Sequence, residues 1–233
     1  MKKSISTLAN IRILLLLSIV CFLFHALIAG ADDQLSDILD GILKRYSELK
    51  GMSVSYEREI ITKSMAMLGD EVKSDRASGT ILFMPPHYLA IQQTTPAKES
   101  VITDGQTIWY YIEAKKTVYE YRADELGKEI ELLSEIFSGL SKVGDNFDVK
   151  QSDLEDRKDY HLKLVPDPPW EELDHIDLIV EREVFDIRVI EIHNRLGGIT
   201  RFNLDGLSVR KDLEKKDFTF KAPAGVTTSK EEQ

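Results

Sequence analysis

Histidines, cysteines and paired carboxylates are the side chains through which a sequence first announces catalysis or metal binding. Beyond residue 31 the chain holds four histidines, His87, His161, His175 and His193, and no cysteine, because Cys21 is the only one. No two of these histidines stand at metal-ligand spacing along the chain, so the spacing offers no metal centre. There is no Gly-x-Ser-x-Gly elbow and no phosphate-cradling glycine loop. Gly197-Gly198 lies between two strand patterns and reads as a turn. Aspartate and glutamate total 40, too many for spacing to single out an acid–base pair. The residue types therefore point to a binding protein with no cofactor rather than to an enzyme.

The chemistry that the sequence does offer is apolar. In "VITDGQTIWYYIEAKKTVYEY", Val101 to Tyr121, five rings gather: Trp109, Tyr110, Tyr111, Tyr119 and Tyr121. So much ring surface fills a core or lines a place where something greasy sits. Alternation sends Trp109 and Tyr111 to one face and Ile108, Tyr110 and Ile112 to the other, so both parities are apolar.

Residues 1–31 read as a cleaved leader, with an uncleaved membrane anchor as the alternative. Lys2, Lys3 and Arg12 precede a long apolar run, and Ala29-Gly30-Ala31 is a small-residue cleavage pattern before Asp32. Cys21 follows Val20 and is followed by more apolar sequence, which does not suit a lipid attachment site. Cleavage would leave residues 32–233 as a single domain without cysteine, held by its core alone. With three leader cations removed, 27 basic residues face 40 acidic ones, a net of −13. That balance opposes nucleic acid as a partner, and it opposes electrostatic attachment to anionic lipid.

These residues need elements to position them. From Gln34 to Leu49 the apolar residues Leu35, Ile38, Leu39, Ile42, Leu43, Tyr46 and Leu49 paint one stripe of a helix, which Gly51 can end. The period then changes to two around Val54, Tyr56 and Ile60. "GTILFMPPHYLAIQQ" predicts two strands broken at Pro85-Pro86, because proline cannot donate to a ladder. Asp104-Gly105 predicts a tight hairpin. Leu126, Ile130, Leu133, Phe137 and Leu140 predict a second helix that stops near Gly139 or Gly144. "DYHLKLVP", "HIDLIVERE", "DIRVIEIH", "GGITRFNLDGLSV" and "DFTFKAP" read as later strands, and "PPWEELDHID" as an exposed loop. Short connections imply mostly antiparallel pairing. The expected fold is mainly β with α: one curved antiparallel sheet with two helices over one face.

On this plan Leu39, Ile42, Leu43 and Tyr46 of the first helix face Val54, Tyr56, Ile81, Phe83 and Leu89 of the sheet, with Leu133 and Phe137 of the second helix and Trp109 and Tyr111 of the hairpin. These residues are the expected lining of an apolar cavity. Ordinary helix-on-sheet packing explains the same set.

Several stretches carry a family resemblance. "VITDGQTIWYY" looks like a segment of the outer-membrane lipoprotein carrier family (LolA), in which an Asp-Gly turn precedes tryptophan and other rings. "KKDFTFKAPAGV" resembles that family's closing pattern, "DIRVIEIHNRLGGITRFNLDGLSV" its late hairpin, and "GTILFMPP" its strand before a proline. The resemblance implies an incomplete, half-open barrel with helices over its concave face and an apolar space that accepts acyl chains. It implies acylated lipoproteins as cargo, an inner-membrane lipoprotein-releasing ABC transporter as donor, an outer-membrane receptor as acceptor, the periplasm of a Gram-negative bacterium as location, and a monomer. One departure stands out. The family commonly places an arginine before the strand-ending proline to latch the lid, and here Met84 and Pro85 occupy that place. A lipid-sensing regulator of the same architecture is the alternative; such proteins usually add a second domain.

Overall fold

The computed structural model describes residues 34–63, 65, 75–152 and 158–230. The expected leader and its cleavage point, and most of the polar stretch after the first strand, lie outside the described residues. The chain divides into a unit ending at Asp40 and a unit running from Gly41 to Gln233. In the first, residues 34–40 begin a helix, α1, which spans 34–47.

The larger unit is built on one sheet. Its strands are β1 (Met52–Ile61), β2 (Asp75–Met84), β3 (Tyr88–Thr95), β4 (Glu99–Thr103), β5 (Thr107–Ile112), β6 (Thr117–Arg122), β7 (Phe147–Gln151), β8 (Asp159–Pro166), β9 (Leu173–Glu181), β10 (Ile187–Asn194), β11 (Ile199–Val209) and β12 (Thr227–Lys230). They lie in the order β12-β6-β5-β4-β3-β2-β1-β11-β10-β9-β8-β7. The sheet does not close into a barrel; β12 and β7 are its edges. Sequential neighbours pair antiparallel, as short connections demand, and among the described residues only β12 runs parallel to its neighbour, β6. The expected open, curved antiparallel sheet with covering helices is the observed fold.

The hairpin between β4 and β5 shows how the local chemistry sets register. Gly105 has φ of +90°, open to glycine but strained for other residues. Asp104 Oδ1 accepts the amides of Gln106 and Thr107, each at 2.9 Å. The buried Thr103 hydroxyl accepts the Gly105 amide and donates to the Thr107 carbonyl. The turn so fixed pairs Thr103 with Ile108 and Val101 with Tyr110.

A second helix, α2, spans Ala123–Phe137 and lies against β3, β5 and β6. Its Phe137 ring stands 6.0 Å from that of Phe83, which defines the inner face of the sheet. On that face Met52, Val54, Tyr56, Ile81, Phe83 and Leu89 are buried, and Leu162, Leu164, Ile176, Leu178, Val180 and Ile190 continue the core across β8, β9 and β10. Alternate residues of β1 and β8–β11 point the other way and are largely polar or charged. At one level, register aligns Arg76, Glu59, Arg201, Glu191, Asp177, Lys163 and Lys150 across seven strands of the outer face. Opposite charges meet along it: Glu59 pairs with Arg76 at 3.0 Å and Arg201 with Glu191 at 2.7 Å.

The end of the chain departs from its sequence pattern. "DFTFKAP" is no strand. A 3-10 turn at Lys215–Phe218 leads into irregular backbone, and the strand comes later, at Thr227–Lys230. The rings of this segment are spent on the outer face of the sheet: Phe218 is fully buried beside Tyr88 at 5.7 Å, and Phe220 meets Tyr111 at 5.1 Å. β7 and a short helix, α3 (Val143–Asn146), also stand outside the predicted elements.

Candidate functional site

The expected lining residues fall into three groups. Ile42, Tyr46, Val54, Tyr56, Ile81, Phe83, Leu89, Leu133 and Phe137 are all buried, the sheet members on the inner face and the helix members in the core above it. Leu39 and Leu43 do not join them. Each follows a buried stripe position by one residue, a turn of about 100° around the helix; Leu39 is half-buried and Leu43 is 36% exposed. Trp109 and Tyr111 form the third group. Register places Trp109 level with Ile102 and Tyr111 level with Ser100, on the face opposite Phe83. There they are half-buried, Tyr111 beneath Phe220.

The inner face of the hairpin belongs instead to Ile108, Tyr110 and Ile112. One row crosses six strands at a single level: Val54, Ile81, Ile91, Val101, Tyr110 and Tyr119. Val54 and Ile81 are buried, whereas the last four are only half-buried. Tyr110 and Tyr119 have ring centroids 6.2 Å apart, and Tyr121 continues the stack 6.4 Å from Tyr119. The core is thus fully packed on β1 and β2 and gives way, from β3 to β6, to an apolar and aromatic strip that protein atoms cover incompletely.

Polar groups border this strip. Tyr110 donates its hydroxyl hydrogen to Glu99 Oε2 at 2.7 Å. Burial, followed by the hydrogen bond to the Glu99 carboxylate, pushes the Tyr110 phenol up to about 12. The Arg58 guanidinium opposes both shifts, pulling Tyr110 and Tyr56 down, while burial raises Tyr56. Arg58 Nε is itself buried without a hydrogen-bond partner. Sequence reasoning did not single out Ile91, Val101, Arg58 or Glu99. The hairpin fixed which residues pair, but two apolar parities left the facing open.

Two elements hold the part of α1 from Gly41 onward over the inner face. The Tyr46 hydroxyl accepts the buried Ile187 amide at 3.0 Å, and Arg45 Nε donates to Asp186 Oδ1 at 2.7 Å. The second element is the end of α2. Gly139 adopts φ of +81°, and a Cβ there would stand 3.0 Å from Leu43 Cα and 3.1 Å from Tyr46 Cβ. A shallow depression of about 470 Å³ lies elsewhere, lined by Gly41, Lys44, Arg45, Glu48, Phe185 and Val209. Leu49 and Val184 complete its lining.

Residues 66–221 match the family model described as "Outer membrane lipoprotein carrier protein LolA". Among similar proteins, an outer-membrane lipoprotein carrier protein of Cupriavidus taiwanensis is 23% identical over 87% of this chain and 89% of its own length. One from Methylococcus capsulatus is 24% identical over 64% of this chain and 70% of its own. Among solved structures, an uncharacterized conserved protein from Thermus thermophilus has a TM-score of 0.53 at 9% identity, covering 85% of this chain and 99% of that one; the likeness is one of fold alone.

Proposed function

The chain belongs to the LolA family, and from that premise we propose that it is a periplasmic carrier which shelters the acyl chains of lipoproteins between the inner and outer membranes. The observation that carries this reading is the half-buried row Ile91, Val101, Tyr110 and Tyr119, continuous with the core at Val54 and Ile81.

Exposing a buried methylene to water costs about 0.8 kcal/mol, so a long acyl chain costs on the order of 10 kcal/mol in open water. A soluble carrier must offset that with apolar contact, yet release its load. The strip suits both needs. Its contacts are weak and non-directional, and Arg58 and Glu99 border it with polar groups that limit the apolar area. Acyl chains displace water along the row, with α2, which lies against β3, β5 and β6, as a lid. No bond is made or broken on the carrier, so it is not an enzyme. The cargo comes from an inner-membrane lipoprotein-releasing ABC transporter and passes to an outer-membrane receptor.

The test is native mass spectrometry of the protein purified from the periplasm of its own host. Wild type should carry lipoprotein or lipid, and Val101→Asp, which sets a charge in the middle of the row, should arrive empty. Empty wild-type protein, or equal loading of both, overturns the reading.

A further inference from the structure

Along the sequence His175 and His193 are 18 residues apart and suggest nothing. In the sheet they are direct cross-strand partners on β9 and β10. Their rings lie 4.1 Å apart and within 13° of parallel, on the outer face, away from the apolar core. Asp177 Oδ2 stands 3.2 Å from Nε2 of each histidine. Glu191 Oε2 stands 3.4 Å from His193 Nε2.

From these positions we infer that His175, His193 and Asp177 form a binding site for one divalent transition-metal ion, with Zn²⁺ the best fit and Glu191 at its edge beside His193. The donor set is the first support. Two imidazoles and a carboxylate suit borderline ions such as Zn²⁺ and do not suit Mg²⁺ or Ca²⁺, which take oxygen ligands.

Geometry is the second. A tetrahedral ion with bonds of about 2.0–2.1 Å separates adjacent donors by about 3.3 Å. The two distances from Asp177 Oδ2 to the histidine Nε2 atoms, 3.2 Å each, are edges of that size. His193 Nε2 is also buried with no hydrogen-bond partner, although two carboxylate oxygens lie within ion-pair range. Those oxygens sit close to the nitrogen but off the line of an N–H bond. A shared ion between the donors resolves the mismatch; a proton does not.

The surrounding groups are the third. Asp174 Oδ2 holds His175 Nδ1 at 2.7 Å, which puts that nitrogen's proton on the outside and leaves Nε2 to ligate. Arg201 Nε donates to Glu191 Oε1 at 2.7 Å and steers the other oxygen, Oε2, toward His193. Asp177 is 37% exposed, so an ion can enter from solvent. The site is independent of the acyl-chain reading, because it stands on the opposite face of the sheet.

The experiment is calorimetric titration of untagged, chelator-treated protein with Zn²⁺, supported by the visible spectrum of the Co²⁺ form. Wild type should bind one Zn²⁺ per chain, give the absorption of tetrahedral Co²⁺ and melt at a higher temperature with Zn²⁺, but not with Mg²⁺ or Ca²⁺. Asp174→Asn should weaken binding about 10–100-fold through the ring it orients. His193→Ala should lose more than that, while its metal-free melting temperature reports that it still folds. The inference is overturned by an absence of saturable one-to-one binding, by unchanged affinity in His193→Ala, or by equal competition from Mg²⁺.

Discussion

Tyr46 of α1 and Ile187 of β10 are joined by a buried hydrogen bond, the phenol oxygen accepting the backbone amide at 3.0 Å. The contact ties the helix to the sheet at a point 141 residues away in sequence. Tyr46→Phe keeps the ring and leaves the amide unpaired. A buried donor without an acceptor costs about 1–3 kcal/mol. Urea unfolding should show that loss as a lower midpoint with an unchanged slope.

The same phenol makes stability depend on alkaline pH. Burial holds the Tyr46 hydroxyl protonated well above the ordinary tyrosine range, and Tyr110 is raised to about 12. In the unfolded chain both ionise near pH 10. Below that value folded and unfolded states bind the same protons, and the stabilisation is fully present. As pH rises past about 10 the unfolded chain sheds protons that the folded one keeps, so stability falls. Melting temperatures should decline from about pH 10 upward, and Tyr110→Phe should decline less steeply. An unchanged profile in that variant would contradict the assignment of Tyr110.

Gly139 ends α2 where α1 passes. Any other residue there takes a left-handed conformation that costs about 1–2 kcal/mol, and its Cβ presses on Leu43 Cα at 3.0 Å. Gly139→Ala should therefore destabilise by at least that amount. Gly144→Ala is the control, since nothing lies within 4 Å of a Cβ at that position. Thermal unfolding of the two variants should separate them.

Trp109 reports on which face a ligand uses. Its ring stands on the outer face, away from the row Ile91, Val101 and Tyr110. In a Trp170→Phe background, saturating the protein with a fatty-acyl probe should leave the emission maximum of Trp109 nearly unmoved. A large blue shift would place the acyl chain on the outer face instead.

Much of the fold was legible because local periodicity and turn chemistry agree with the tertiary answer. α1 and α2 follow from their apolar spacing, and Asp104-Gly105 makes the hairpin for the reason that its residue types suggest. The facing of Trp109 and Tyr111 was not legible. Two apolar parities do mean two covered faces, but the outer cover comes from Phe218 and Phe220, far along the chain. Those two rings alternate like strand residues, which is why "DFTFKAP" reads as a strand, yet they belong to a turn and an irregular segment. Leu43 was misplaced because a stripe drawn from Leu39 and Leu43 includes positions about 100° from the buried line of Ile42 and Tyr46. The pairing of His175 with His193 depends on the register of β9 with β10, which the chain spacing does not encode.

β12 has four residues, all paired in parallel with β6, and its Lys230 reaches Glu120 at 3.3 Å. Without it the border of the sheet would be Thr117 to Arg122, a run in which Val118, Tyr119 and Tyr121 stand close together. Such a border invites copies of the chain to add to one another. β12 covers that border with its own backbone. A chain cut before Thr227 should keep its hydrophobic core yet form oligomers, visible by light scattering, that the intact chain does not.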